Sequence, residues 1–178
     1  MAQIREYDQE VEQVSILTFQ IGWEQFIIDL LDVKEIIQAG QIRKLPKSLD
    51  FIDGIYNYRG EIIHVINLKK KLNLDQYLLY ESKHSSFDQD MNTSKTFIII
   101  LKVEGDLVGF YVDSIVSIDH IVPHEILELS PIFQTSVAME FIRGIINFKD
   151  RPRVMLDLGK IFSEVEKFRI QQDLALEK

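Results

Sequence analysis

The first residues that could do chemistry in this chain are His120 and His124, which stand four positions apart. On a helix this spacing would place both imidazoles on one face, where they could share a metal ion. Pro123 lies between them in a stretch rich in β-branched residues, which disfavours a helix. We therefore interpret both histidines as surface or edge residues.

A calcium loop is the second possibility for metal binding. Asp88, Asp90 and Asn92 have the spacing of the first three ligand positions of such a loop. The loop next requires glycine and ends on glutamate, whereas this chain has Thr93 and Ile99 at those positions. The sequence thus predicts no metal site and no cofactor.

Two carboxylates, Asp29 and Asp113, each close a similar apolar segment. They could form a catalytic pair, or each could cap a turn by accepting backbone N–H groups, which is the favoured interpretation. The chain has no cysteine, and its sequence has no phosphate-binding loop and no serine-nucleophile motif. We therefore predict a protein that is not an enzyme.

Arg59 and Gly60 are the strongest candidates for a binding turn. Glycine adopts positive φ readily, and the planar guanidinium of arginine suits the recognition of carboxylates. A related segment later in the chain has Lys149 and Asp150 at the matching place, so a cation here could also be ordinary turn chemistry. The difference between the two turns is the reason to expect a partner at Arg59.

That related segment is part of an internal duplication. Residues 51–68 match residues 141–158, 90 positions later, with Phe, Ile, Gly, Ile, Asn and the final Leu identical. The segments that end at Asp29 and Asp113 also match, with an offset of 84. About six extra residues therefore lie between the matched blocks of the second half, and the chain consists of two related halves.

Apolar residues are unusually frequent directly after Asp29. The set comprises Leu30, Leu31, Val33, Ile36 and Ile37. These side chains could all face a core, or part of the set could line an exposed groove for a helix of a partner protein. Both interpretations remain open from the residues alone.

Composition limits the class of protein. The chain has 178 residues, a net charge of -8 and a pI near 5.0, without a basic stripe, which argues against nucleic-acid binding. The polar N-terminus predicts no secretory signal, and no apolar run is long enough to span a bilayer. The lack of cysteine fits a reducing cytoplasm. We expect a cytoplasmic protein without direct membrane insertion.

The elements that must position these residues are mostly strands. Alternating β-branched and aromatic residues between turn signals predict strands over 14–21, 24–31, 51–58, 61–68, 96–103, 107–113, 116–122, 141–148 and 153–158. The segment from Val33 to Ile37 fits a helical turn or a short strand equally well. A helical turn is predicted over 69–74, and Ile161, Val165 and Phe168 predict an amphipathic C-terminal helix. The polar stretch 75–95 is predicted to be a flexible insertion.

Four motifs follow one another along the chain. They are the hairpin Phe19-x-Ile21-Gly22 to Phe26-x-Ile28-Asp29, the Val33-x-Glu35-Ile36-Ile37 segment followed by Leu45-Pro46, the Gly54-Ile55-Tyr56-Asn57-Tyr58-Arg59-Gly60 signature with its continuation to Leu68, and the Val108-Gly109-Phe110-Tyr111-Val112-Asp113-Ser114-Ile115 motif. In these motifs the chain resembles the CheW family of bacterial and archaeal chemotaxis coupling proteins. The match extends from about residue 14 to residue 163.

The resemblance implies an all-β fold of two SH3-like five-stranded β-barrel subdomains packed on a shared hydrophobic core, with a C-terminal amphipathic helix. We expect a single CheW-like domain over 1–178, with subdomain 1 near 20–74 and subdomain 2 near 96–145. The first strand and the C-terminal strands and helix would cross between the subdomains.

The resemblance also implies a non-catalytic adaptor. Its expected partners are the regulatory domain of the histidine kinase CheA and the cytoplasmic tip of chemoreceptors, with ring assembly alongside CheA or further copies. Matching positions assign Leu30, Val33, Ile36 and Ile115 to a receptor-binding groove, and Arg59 with Gly60 to kinase binding and complex assembly. His64 and Asn67 depart from the proline and aspartate that are usual in the signature.

Two alternatives accompany this hypothesis. The same adaptor type could serve a non-flagellar pathway, such as one controlling pili or development. A small-molecule hydrolase built on a β-barrel would instead need a polar pocket with clustered titratable groups.

Overall fold

A computed structural model describes residues 12–46, 49–74, 95–130 and 139–166. Within these ranges β-strands are the main secondary structure. The strands are β1 (Val14–Ile21), β2 (Glu24–Asp29), β3 (Val33–Gln38), β4 (Ile52–Tyr58), β5 (Glu61–Asn67), β6 (Phe97–Val103), β7 (Asp106–Val112), β8 (Ser114–Ile121), β9 (Ile126–Leu127), β10 (Ile142–Asn147) and β11 (Pro152–Leu156). The predicted all-β class is confirmed.

The strands form two sheets that mix the two halves of the sequence. One sheet has the order β8-β1-β2-β11-β10-β9, and the other has the order β3-β6-β7-β5-β4. Neighbouring strands are antiparallel except at two places, where β11 runs parallel to β2 and β5 runs parallel to β7. The first hairpin therefore pairs with the last one, and β6 and β7 pair with strands of the first half. The numerical limits of the two subdomains stay a prediction.

The duplication is visible in the register of the two repeated hairpins. The β4–β5 ladder has a bulge between Ile52 and Gly54, and the β10–β11 ladder has one between Ile142 and Gly144. A Cβ atom on Gly54 would lie 2.2 Å from the carbonyl oxygen of Arg43, and one on Gly144 would lie 2.8 Å from that of Leu127. Another backbone segment thus crosses each glycine closely, which explains why both copies carry glycine here.

Three clusters of buried side chains explain why several strands are apolar on both faces. The largest cluster contains residues of both sheets, including Leu17 of β1 and Ile99 of β6. Each sheet also has a cluster of its own. Ile16, the chain neighbour of Leu17, belongs to one of these clusters, and Ile98, the chain neighbour of Ile99, belongs to the other. Successive side chains of a strand point to opposite faces. Each of these strands therefore buries one face in the shared cluster and the other face in the cluster of its own sheet.

The segment from Val33 to Ile37, for which the sequence allowed a helical turn or a short strand, is part of strand β3. The predicted strand over 24–31 ends at Asp29, because Leu30–Asp32 form a short 3-10 turn. Helix α1 (Leu68–Lys71) stands close to the predicted helical turn, and helix α2 occupies residues 158–166. Ile161 and Val165 of α2 are buried in the shared core as predicted, whereas Phe168 lies outside the described residues.

Two further predictions concern segments that the structure does not describe. The predicted insertion lies outside the described residues from position 75 to position 94, as do Asp88, Asp90 and Asn92 of the rejected calcium loop. In the described ranges, no helix is long and apolar enough to cross a membrane.

Candidate functional site

The β4–β5 turn presents Arg59 to solvent. Arg59 and Gly60 both have positive φ, 53° and 87°, as a two-residue hairpin turn requires. The Gly60 N–H donates a hydrogen bond of 2.9 Å to Oδ1 of Asn57, which closes the turn. A Cβ on Gly60 would meet nothing within 4 Å, so the constraint on this residue is its conformation and not its space. The Arg59 side chain is 73% exposed.

A carboxylate from another strand holds Arg59. Nη2 of Arg59 lies 2.9 Å from Oε1 of Glu35 on β3, and the Tyr58 hydroxyl donates to the other oxygen of the same carboxylate. The Arg59 guanidinium also lies over the Tyr58 ring, 5.3 Å from its centroid. The Arg59 guanidinium, which the sequence suggested for carboxylate recognition, is thus already oriented by the Glu35 carboxylate of the same chain.

Sequence reasoning missed this network because its members are far apart in the chain. Glu35 entered only as a letter of a motif, and Tyr58 only as a residue of a strand. The sequence offered one indication, namely that Glu35 is the acidic residue in an otherwise apolar alternation on β3. Which strand that carboxylate faces depends on the sheet pairing.

The network shifts the pKa of both of its acids. The hydrogen bond from Tyr58 lowers the pKa of Glu35, and the neighbouring Arg59 charge adds to this effect. The same hydrogen bond raises the pKa of Tyr58, because ionised Tyr58 could not donate to the Glu35 carboxylate. Glu35 therefore stays ionised and Tyr58 stays neutral over a broad range around neutral pH.

The apolar residues after Asp29 separate into three groups. Leu30, Val33 and Ile36 are partly buried and pack against the shared core. Ile37 packs against the cluster of its own sheet, and Leu31 is 87% exposed. The core interpretation therefore holds for the packed members of the set, and the binding of a partner helix by the accessible ones stays a prediction.

Ile115, the fourth residue assigned to a groove, is the structural equivalent of Val33. It is also partly buried against the shared core. Val33 pairs with Leu101 on β6, Ile115 pairs with Phe19 on β1, and Leu101 and Phe19 lie at the same distance from their hairpin turns. Both strands also have a bulge at this point. The duplication therefore supplies an apolar anchor at the same place on each edge strand, β3 and β8.

A charged groove adjoins Val33. One cavity of about 240 Å³ and a wider one of about 410 Å³ share Asp32 and Lys102 in their walls, and Val33 lines the wider cavity. In the narrower cavity Nη1 of Arg143 lies 3.5 Å from Oδ2 of Asp32 and 3.4 Å from Oδ2 of Asp29. Burial raises the pKa of Asp32, and Arg143 opposes that effect. We call these two cavities the Asp32 groove.

The two candidate catalytic carboxylates act as caps. Oδ1 of Asp29 accepts the N–H of Leu31 at 2.9 Å, and Oδ2 of Asp113 accepts the N–H of Gly22 at 2.5 Å. This confirms the interpretation as turn caps, and each carboxylate serves a different turn.

The histidines also lie apart from any cluster of metal ligands. His120 on β8 is exposed, with Nδ1 3.0 Å from Oγ of Ser15, and His124 lies in a short 3-10 turn over Pro123–Glu125. Among the residues that the structure describes, no group of three or more His, Cys, Asp or Glu side chains could hold a metal ion.

Comparison with known proteins decides the family. The family model for the CheW-like domain matches residues 15–166. The chain belongs to this CheW-like family. The chemotaxis protein CheW of Treponema pallidum (strain Nichols) is 32% identical over 155 residues, which cover 87% of this chain and 85% of that protein.

Further CheW-like proteins match this chain over most of their length, and one of them has a solved structure with the same fold. The chemotaxis protein CheW of Thermotoga maritima is 28% identical over 158 residues, covering 87% of this chain and 91% of that protein. The crystal structure of the scaffolding protein TtCheW from Thermoanaerobacter tengcongensis superposes with a TM-score of 0.71 at 26% identity, over 89% of this chain and 94% of that one. The suspected family and the CheW fold with its SH3-like units are confirmed, and the family is one of chemotaxis scaffold proteins.

Proposed function

We propose that this CheW-like protein is a non-catalytic adaptor that couples chemoreceptors to the histidine kinase CheA in chemotaxis. The observation that carries the proposal is the match of the CheW-like domain to residues 15–166, nearly the whole described chain. The adaptor works in the cytoplasm and is recruited to receptor arrays at the membrane through its protein partners.

The receptor tip binds at the apolar edge of the shared core. Leu30, Val33, Ile36 and Ile115 support this proposal because each is partly exposed while its inner side is fixed by packing. An amphipathic receptor helix can place its apolar face on such anchors without having to order them first. The charges of the adjoining Asp32 groove then set the orientation of the helix.

The regulatory domain of CheA contacts the Arg59–Gly60 turn. This turn is fixed by its backbone geometry and by the pairing of Arg59 with Glu35, yet most of the arginine side chain stays accessible. A guanidinium has several N–H donors, so Arg59 can bind a second acceptor on the partner while it keeps its bond to Glu35. Repeated use of such contacts with CheA or with further copies would build a ring.

A separate pull-down with each partner tests the proposal. The full chain is incubated with the CheA regulatory domain alone, with a receptor signalling tip alone, and with both. We expect each partner to be retained alone and more of each to be retained when both are present. Retention of neither partner, by a chain whose circular dichroism shows a folded β-protein, would contradict the proposed function.

A further inference from the structure

Trp23 is the one tryptophan of the chain, and its side chain is 53% exposed on the β1–β2 turn. Three hydrogen bonds hold this turn. The Gly22 N–H donates to Oδ2 of Asp113 at 2.5 Å, Nε2 of Gln20 donates to the Gly22 carbonyl at 2.7 Å, and Nη2 of Arg151 donates to the Trp23 carbonyl at 3.1 Å. A large apolar ring is therefore presented to solvent on a backbone that is already ordered.

A second turn brings cations to the same end of the sheet. Because β11 runs parallel to β2, both strands begin at that end, and the β10–β11 turn lies beside the β1–β2 turn. Lys149 and Arg151 are exposed on the β10–β11 turn. Within the described residues neither of these cations forms an ion pair. We call Trp23, Lys149 and Arg151 the Trp23 patch.

Next to the patch, Arg153 and Asp150 form an ion pair with each other. Arg153 lies 2.8 Å from Oδ2 of Asp150, donates to Gln25 at 2.7 Å and stacks on the Phe148 ring at 4.2 Å from its centroid. Since Asp150 is engaged with Arg153, it leaves the charges of Lys149 and Arg151 available to a partner.

The equivalent end of the other sheet differs in each of these respects. There Arg59 is paired with Glu35, and the neighbouring turn carries Glu104 and Gly105 where the first hairpin carries Gly22 and Trp23. The Trp23 patch thus places two exposed cations, neither of them in an ion pair within the described residues, next to an exposed indole. Tryptophan and arginine are the residues that most often dominate binding energy at protein interfaces.

We propose that the Trp23 patch docks an acidic segment of a partner protein. The indole packs against an apolar side chain of that segment, and Lys149 and Arg151 pair with its carboxylates. This inference concerns a different surface from the receptor and kinase contacts above and does not depend on them.

The fluorescence of Trp23 tests the proposal directly, because no other tryptophan contributes to it. The full chain is titrated with a short peptide of alternating glutamate and leucine, and with a lysine–leucine peptide as the control. We expect a saturable shift of the emission to shorter wavelength with the acidic peptide, weakened by added salt. The double variant Lys149→Glu/Arg151→Glu should lose about tenfold or more in affinity.

A matched double charge reversal, Arg43→Glu/Lys44→Glu, should keep the original affinity, because both residues are exposed on a different part of the chain. A labelled peptide measures binding by Trp23→Ala through anisotropy, and we expect a loss there too. Circular dichroism checks that each variant folds, and Arg151→Gln replaces the double variant if that one does not. No saturable shift, equal binding of the lysine–leucine peptide, or equal loss in both double variants would overturn the proposal.

Discussion

At the turn between β4 and β5, Glu35 from a third strand fixes Arg59 while most of the arginine side chain stays in solvent. Exposed ion pairs contribute little to folding stability, because water screens them and both side chains lose freedom. The network of Arg59, Glu35 and Tyr58 is therefore better suited to holding a guanidinium in one orientation than to stabilising the fold.

Arg59→Ala should leave the melting temperature nearly unchanged and weaken the ternary complex with the CheA regulatory domain and a receptor tip. The reason is that the variant removes an exposed side chain that we propose contacts a partner. Thermal unfolding and a quantitative pull-down give the two measurements. Glu35→Gln is the matched control, since it frees Arg59 without removing it and should weaken assembly less. A large fall in melting temperature would show that Arg59 is structural.

The pKa shifts predict how the network responds to pH. The pKa of Glu35 is lowered in the folded protein, so its contribution to stability is present above the ordinary value of 4.5 and is lost as the pH falls through the folded pKa. The pKa of Tyr58 is raised above 10.0, so its contribution is lost as the pH rises through that folded pKa. Urea unfolding of wild type and Glu35→Gln should show a stability difference at neutral pH that disappears in acid. A difference that grows in acid would contradict these shifts.

Thr18 of β1 is buried, and its hydroxyl has no hydrogen-bond partner among the described residues. The equivalent position on β6 is Ile100, a buried apolar residue. Thr18→Val should therefore stabilise the protein by about 1 kcal/mol, because it removes an unsatisfied polar group at nearly constant volume. Denaturant unfolding measures the change. Thr18→Ser, which keeps the hydroxyl and loses the methyl group, should destabilise instead, and stabilisation by both would count against this explanation.

The edge strands β3 and β8 are the elements that present the apolar anchors. They occupy equivalent places in the two sheets, and each has a bulge next to Val33 or Ile115. A bulge redirects side chains at a sheet edge, and here it accompanies residues that pack partly against the core and are partly accessible. The geometry of each edge strand therefore fixes where an apolar partner can bind.

Val33→Glu should weaken binding of the receptor tip more than binding of the CheA regulatory domain. A carboxylate at this position would be desolvated under a receptor helix, whereas Arg59 keeps its bond to the unchanged Glu35 side chain. Affinities for the two partners are measured separately by calorimetry. Ile62→Glu, at an exposed apolar position of β5, is the control and should leave receptor binding unchanged. Equal loss for both partners would indicate that Val33 serves the core instead.

For the whole molecule, the shared cluster makes the two sheets depend on each other. It takes buried side chains from β1 and β2 of one sheet and from β5, β6 and β7 of the other, together with helix α2. A unit of this size buries too little surface by itself for high stability, so the shared face adds what each sheet lacks. We expect the described body of the protein to unfold as one unit.

Ile99→Ala in the shared cluster should destabilise the protein by about 2 to 5 kcal/mol and keep a single unfolding transition. Ile98→Ala, on the opposite face of the same strand and in the cluster of one sheet, should lower that same transition. Differential scanning calorimetry distinguishes one transition from two. A second transition that appears in either variant would show that the sheets unfold independently.

Local patterns were sufficient to predict much of this protein. The strands β1, β2, β4 to β8, β10 and β11 follow from short-range apolar alternation and turn residues, whereas β9 was not predicted, and the duplication predicts two related halves. The cap at Asp29 was also predictable, since its carboxylate accepts the N–H group of Leu31, only two residues away. Each of these features depends on neighbours in the chain or on comparison of one segment with another.

The sequence by itself thus determined the all-β class, the family and the candidate turn at Arg59. Only the tertiary structure decided that Glu35 holds Arg59, that Val33 and Ile115 are equivalent, and that Trp23 stands beside Lys149 and Arg151. The physical reason is that sheet partners are chosen by packing over the whole chain, including the parallel pairing of β2 with β11. Residues more than a hundred positions apart meet through such pairing, and no local pattern encodes which of them will be neighbours.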